Sequence, residues 1–140
     1  MSKKTGKERS SPFLKLLRDP NRFKKLEDGW VRDTLAGVEW GPSSEERMTW
    51  SKAKEYCGKL GGRLPEVNEL QSLVDYSKHD LAIDKKFFPD TNSSWYWTNT
   101  EVAGYSYYAW VVGFYNGGVN DSSKDYDSYV RPCRASQCSL

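Results

Sequence analysis

Residues Ala109-Trp110-Val111-Val112-Gly113-Phe114-Tyr115 run without a charged side chain and end in Asn116-Gly117. Asn-Gly is the strongest short-range hairpin signal, because the tight turn it favours needs positive φ at both central residues. A segment like this must fold as a strand that turns and comes back antiparallel. Period two predicts Trp110, Val112 and Phe114 on one face, toward the core, and Val111, Gly113 and Tyr115 on the other, toward solvent. The surroundings are as unusual as the strand. The chain has 21 Lys and Arg, yet Asn92 to Ser123 contains none. Tyr, Ser, Gly and Asn take their place, which is the composition of a recognition surface. Tyr gives large amphipathic contact area at low entropy cost, and the small polar residues give adaptable hydrogen bonding.

The rest of the chain supplies helices. Thr49 is placed as an N-cap, followed by Trp50, Ala53, Tyr56, Cys57 and Leu60 at helical spacing and a stop at Gly61-Gly62. A second helix is expected from Glu66 to Tyr76, with Val67, Leu70, Leu73 and Val74 on one face. Trp30 to Asp33 and Leu35 to Trp40 read as short strands, Ser77 to Ser94 as an irregular connection, and Tyr129 to Arg134 as a closing strand. The order of strands, two helices, then strands is α+β. At 140 residues one domain is expected, with an aromatic-heavy core drawn from six Trp and nine Tyr. The expected division is a basic, largely disordered tail over 1–20, a folded domain over 21–135 and a short tail over 136–140. Within the first, Phe13 to Arg18 can form a turn or two of amphipathic helix.

Other chemistries find little support. A net charge of +2 names no partner, and the basic residues near the start lack interleaved aromatics, so no nucleic acid is expected. No apolar run is long enough for a membrane span, and no apolar leader follows Met1, so a cytoplasmic or virion-associated protein without membrane insertion is expected. Three Cys and a single His79 make neither a disulfide framework nor a metal site. Asp121, Asp125 and Asp127 lack the spacing of a calcium loop. No nucleophile motif or phosphate-binding glycine loop is present. The expectation is a binding protein with no cofactor and no catalytic residues, its oligomeric state left open.

Two groups of spaced residues carry a resemblance. The first runs through Arg22-Phe23, Asp28-Gly29, Val31, Asp33 to Trp40, Thr49-Trp50, Ala53, Tyr56-Cys57, Leu60 to Pro65, Glu69-Leu70 and Leu73 to Asp75. The second runs through Phe88-Pro89, Tyr96 to Thr98, Ala109-Trp110, Val112, Phe114, Gly117, Val119, Lys124 and Val130-Arg131. Together they resemble the Lcl C-terminal domain family, the ending of collagen-like bacterial adhesins. The resemblance implies a C-type lectin-like fold, with two helices packed on twisted antiparallel sheet. That family commonly pairs the helix cysteine, here Cys57, with one two residues after the closing Val. The position is Pro132 here, and the neighbouring Cys133 points to the opposite strand face. Calcium-dependent lectins carry Trp-Asn-Asp where this chain has Trp97-Thr98-Asn99, so no calcium-held sugar is expected.

The tail pattern, Ala-Trp-x-Val-x-Phe, then Gly-x-Val, a polar run around a Lys and Val-Arg-Pro, is similar to the variable proteins of diversity-generating retroelements. There a reverse transcriptase rewrites adenine-containing codons, mainly those of Asn, in the ligand face, and the resemblance implies a phage or virus protein. Carried over, the varied ligand-binding set is Tyr105, Tyr107, Tyr108, Val111, Gly113, Tyr115, Asn116, Gly118, Asn120, Asp121, Ser122, Ser123, Asp125, Tyr126, Asp127 and Ser128. The fixed scaffold is Trp97, Trp110, Val112, Phe114 and Val130. Randomising the first two bases of an Asn codon never yields Lys, Glu, Gln, Met or Trp, and the varied set contains none of them. The implied function is a hypervariable face that binds a protein ligand, a cell-surface one among the candidates. The alternative is a non-diversified adhesin-type module that binds a glycan or sulfated polyanion.

Overall fold

Both ends of the folded region meet in one sheet. The computed structural model describes residues 11–137; the first ten residues of the expected basic tail, and Cys138, lie outside the described residues. Helix α1 (Pro12–Leu17) starts at Ser11, whose hydroxyl accepts the Leu14 N–H at 3.1 Å. A proline at the first helical position has no N–H to leave unpaired, so this cap suits it. Strands β1 (Phe23–Lys25), β2 (Val31–Asp33) and β3 (Val38–Trp40) then form an antiparallel meander. The fourth strand of that sheet is β7 (Cys133–Ala135), which lies on β3 with Cys133 opposite Trp40. Between them come α2 (Trp50–Lys59), α3 (Val67–Gln71) and a second sheet of β4 (Trp95–Val102), β5 (Tyr105–Gly113) and β6 (Val119–Ser123), with β5 central. The architecture is mixed α+β with two antiparallel sheets. Among the described residues no helix is long and apolar enough to cross a membrane.

Buried charge organises the first sheet. Asp33 is fully buried and its carboxylate takes both Nε and Nη2 of Arg22, each at 2.9 Å. The same carboxylate accepts the Trp40 indole N–H at 2.9 Å and the backbone N–H groups of Leu35 and Ala36 at 3.0 and 3.1 Å. Arg22 spends its remaining donors on the Ser72 carbonyl and hydroxyl, both at 3.1 Å, and on the Leu17 carbonyl at 3.4 Å. One ion pair therefore ties β1, β2, the turn after it, β3 and the end of α3. Glu39 is a second buried node: it accepts Arg134 Nε at 2.8 Å, Arg32 at 3.3 Å and the Gln137 N–H at 2.9 Å. Arg131 bonds the Gly41 carbonyl at 3.0 Å and the Thr91 hydroxyl at 2.7 Å. The two arginines of the Val-Arg-Pro-x-Arg stretch thus fasten the end of the chain to the first sheet.

Two apolar clusters sit on opposite sides of the second sheet. One joins Val31, Val38 and Trp40 to Leu70, Leu73 and Val74 and to Tyr96, Val112 and Phe114. The other joins Ala53 and Cys57 of α2 to Leu64, Trp97, Ala109, Val111 and Val130. Gly62 sits where the α2 exit meets β7. A Cβ there would lie 2.6 Å from the Cys133 carbonyl oxygen, so only glycine lets the two backbones approach.

Several elements differ from the sequence expectation. The second helix stops at Gln71 instead of Tyr76. Ser72 folds its hydroxyl onto the Glu69 carbonyl at 2.6 Å and gives its own carbonyl to Arg22, and Asp75 donates its N–H to Ala82 at 2.8 Å. Leu73 and Val74 are still buried; a turn satisfies the apolar spacing that suggested helix. The hairpin turn is longer than Asn116-Gly117. The ladder ends at Gly113 because Phe114 buries its ring and gives its backbone to Ser94 and Ala82, at 3.0 and 2.7 Å. The closing strand is broken too. Tyr129 makes only an isolated bridge to Tyr96, Val130 pairs with Ser44, and Pro132 has no N–H to offer. Cys57 and Cys133 are free, buried thiols, and burial pushes each up to about 12.

Replacing Asp33 by Ala should destabilise the fold by about 3–5 kcal/mol in urea unfolding, because it strands Arg22 without its partner. Burial raises the Glu39 carboxyl, but the Gln137 N–H and the Arg134 and Arg32 guanidinium groups outweigh it and hold it below the ordinary 4.5. A depressed folded value means that this stabilisation is complete above 4.5 and is lost as pH falls through the lower folded value. Urea unfolding across that acid range should show the loss, and Glu39→Gln should flatten its pH slope.

Candidate recognition face

The central strand of the second sheet decides which side chains reach solvent. Alternation along β5 puts Ala109, Val111 and Gly113 on the side that α2 covers, and Trp110 and Val112 on the side that α3 covers. Neither helix spans the whole strand. On the α3 side Val112 is sealed with Leu70, while Trp110, one pleat away, is only half-buried and belongs to neither cluster. Its cross-strand partner is Asp121, and in the next pair on the same face Tyr108 lies opposite Ser123.

This corrects the period-two reading in both directions. Val111 is 3% exposed, Gly113 is buried and Ser128 is 4% exposed, so these three members of the expected varied set do not face solvent. Val111 packs with Trp97 and Ala53. A Cβ on Gly113 would sit 3.1 Å from the Trp95 ring. Ser128 exchanges both backbone hydrogen bonds with Met48, at 2.9 and 3.0 Å. Trp110, expected as core, is instead partly open. A strand clamped between two layers buries both faces where the layers overlap, and alternation then no longer sorts inside from outside. The other expected scaffold residues, Trp97, Val112, Phe114 and Val130, are buried.

The remaining expected positions are accessible. Tyr105, Tyr107, Tyr108, Tyr115 and Tyr126 are 66, 82, 42, 55 and 68% exposed. Asn116, Asn120, Asp121, Asp125 and Asp127 are exposed, and Gly118, Ser122 and Ser123 are intermediate. They do not form one continuous patch. Tyr105, Tyr107 and Tyr108 sit at the β4–β5 hairpin end of β5, and the Lys124 N–H holds that end by donating to the Tyr107 carbonyl at 3.0 Å. Tyr115 lies at the opposite end, stacked on His79 with ring centroids 6.4 Å apart, and its carbonyl accepts the Asp80 N–H.

Lys124 is built into the scaffold. Its ammonium sits 3.9 Å from the centre of the Trp50 ring and bonds Glu101, whose carboxyl this bond holds below its ordinary value. The Lys124 carbonyl accepts the Trp50 N–H at 3.1 Å. The cation thus pins the loop after β6 to the start of α2, on the side of the sheet away from Trp110.

Sequence reasoning missed two further exposed aromatics. Trp95 is 39% exposed and lies on Gly113 and Gly118. The signal was available, since a tryptophan opposite a glycine across a hairpin can lie flat on the bare strand. Tyr76 is 61% exposed, and its hydroxyl donates to the Gly117 carbonyl at 3.2 Å. Gly117 has φ +88°, and a Cβ there would lie 2.5 Å from Val74 Cγ1 and 2.6 Å from the Tyr76 ring. Among the described residues no cluster of three or more His, Cys, Asp or Glu is placed to hold a metal ion.

A comparison with protein-family models matches residues 29–134 to the Lcl C-terminal domain. The chain belongs to the Lcl C-terminal domain family. The Lcl C-terminal match takes in Asp33 and Glu39, the helices α2 and α3 and the whole second sheet, but begins after α1 and Arg22. No curated protein matches the chain.

Trp97→Ala should cost about 3–5 kcal/mol of unfolding free energy, since its ring is fully buried and its N–H bonds the Met48 carbonyl. Trp110→Ala should cost less than half as much. Comparison of the two urea midpoints checks the half-buried placement of Trp110 outside both clusters.

Proposed function

We propose that this Lcl C-terminal domain is a ligand-binding module of C-type lectin-like fold, in which the exposed residues of β5, β6 and the loop to Ser128 form a hypervariable face of the retroelement type. Its ligand is a protein, and it acts without a cofactor or a catalytic centre. The observation that carries the reading is that Tyr105, Tyr107 and Tyr108 of β5 and Tyr126 of the loop after β6 are exposed beside a doubly packed sheet. Exposed aromatic surface on a rigid framework is costly in water and becomes favourable when a partner covers it. Each tyrosine offers a broad face and a hydroxyl, and the neighbouring Asn, Asp and Ser supply a polar rim. The buried framework below can tolerate changes at these positions because the side chains take no part in either cluster.

The division between exchangeable and fixed positions differs from the sequence pattern at Val111, Gly113 and Ser128, which belong to the framework. The exposed positions that remain still contain no Lys, Glu, Gln, Met or Trp.

Simultaneous randomisation of Tyr105, Tyr107, Tyr108, Asn120, Asp121, Asp125, Tyr126 and Asp127 should leave most variants folded, with melting temperatures within about 5 °C of the parent. Randomising Val111, Gly113 and Ser128 should leave most unfolded. Equal losses in the two libraries would refute the framework-and-face division. Sequencing the flanking DNA tests diversification itself. It should hold a near-copy of the 3′ end that differs at adenines, beside a reverse transcriptase gene.

A further inference from the structure

The less covered end of β5 on the α3 side has a definite chemistry. Tyr108 and half-buried Trp110 lie on adjacent pleats of β5, facing Ser123 and Asp121 of β6. Two aromatic rings are therefore bordered by a hydroxyl and a carboxylate. No cation balances them from nearby sequence. Lys124 is the only Lys or Arg between Asn92 and Val130, and its ammonium is on the α2 side, held by Glu101 and the Trp50 ring. Asp121, Asp125 and Asp127 have no ion-pair partner among the described residues. The chain as a whole carries a net charge of +2, so this local excess of carboxylate runs against the overall charge.

Resting on the binding-module reading above, we propose that this face, centred on Trp110, takes a cationic protein surface that presents arginine. A guanidinium is planar and weakly hydrated. It can stack on an indole or phenol ring while its edge donates two hydrogen bonds to a carboxylate. Trp110, Tyr108 and Asp121 offer both partners on one face, and Trp110 is a contacting residue that no part of the varied pattern includes. A sulfated polyanion fits poorly, because the face would set the Asp121 carboxylate against sulfates.

The test titrates the full chain, labelled with nitrogen-15, with end-blocked hexa-arginine and follows the indole N–H signals of its six tryptophans. Trp110→Phe identifies the signal of interest. The Trp110 signal should move saturably, and raising salt from about 50 to about 300 mM should weaken binding severalfold. Asp121→Asn and Tyr108→Ala should each weaken it at least about threefold, with the other indole signals unchanged. The overall positive charge disfavours non-specific attraction, so a saturable response reports the local face. The proposal is overturned if Trp110 is unmoved by hexa-arginine, if Asp121→Asn binds as tightly as the parent, or if hexaglutamate or a heparin hexasaccharide moves Trp110 instead. Such a failure beside a well-folded library of face variants removes only the cationic partner. Collapse of that library removes the binding-module reading itself, whatever the peptide does.

Discussion

The second sheet is packed on both faces over only part of its length, and the arrangement of the surface follows from that. At Val111 and Val112, adjacent residues on opposite faces, both side chains are sealed, one toward α2 and the other toward α3. Burial on both sides fixes the position and register of the strand without help from its ends. Tyr105 to Tyr108 and Trp110 can then project from a rigid base that their own side chains do not have to stabilise. A sheet packed on one face only would leave every second residue exposed and would need those residues to be polar along its whole length.

The first sheet is held by buried ion pairs as well as by its apolar side chains. Arg22–Asp33 and the Glu39 node with Arg32 and Arg134 hold three-residue strands in a four-stranded sheet. Each carboxylate is also bonded to a backbone N–H or an indole N–H, so the cost of desolvating the charges is offset by complete hydrogen bonding. Among the described residues no buried side-chain polar atom lacks a partner. The arginines near the C-terminus matter because they join the last strand to the first sheet, which keeps the loop from Lys124 to Ser128 across the start of α2.

Much of the fold was legible in local chemistry. Thr49 and Gly61 bracket α2, Gly61 in the left-handed conformation that ends a helix and Thr49 at the N-cap position without a side-chain capping bond, and the β-hairpin around Asn116 exists. The failures share one cause. At Ser72 and Phe114, side-chain or backbone groups found better partners in distant segments than the local pattern offered them. Arg22 took the Ser72 carbonyl, and Ser94 and Ala82 took the Phe114 backbone. For the site, the exposure of the tyrosines followed from composition. Tyr76 was missed because its surroundings depend on Gly117, which is distant in sequence.

The sequence by itself determined an α+β chain with an aromatic core, and a cation-poor, tyrosine-rich segment whose composition suits contact with a partner. Those properties are local, since they depend on residue type and spacing alone. The tertiary structure decided which side of β5 is inside. Val111 is buried and Trp110 is half-open because α2 and α3 cover different lengths of the strand. Alternation can say that two neighbours face opposite ways, but only the packing of elements from elsewhere in the chain settles which of them meets water.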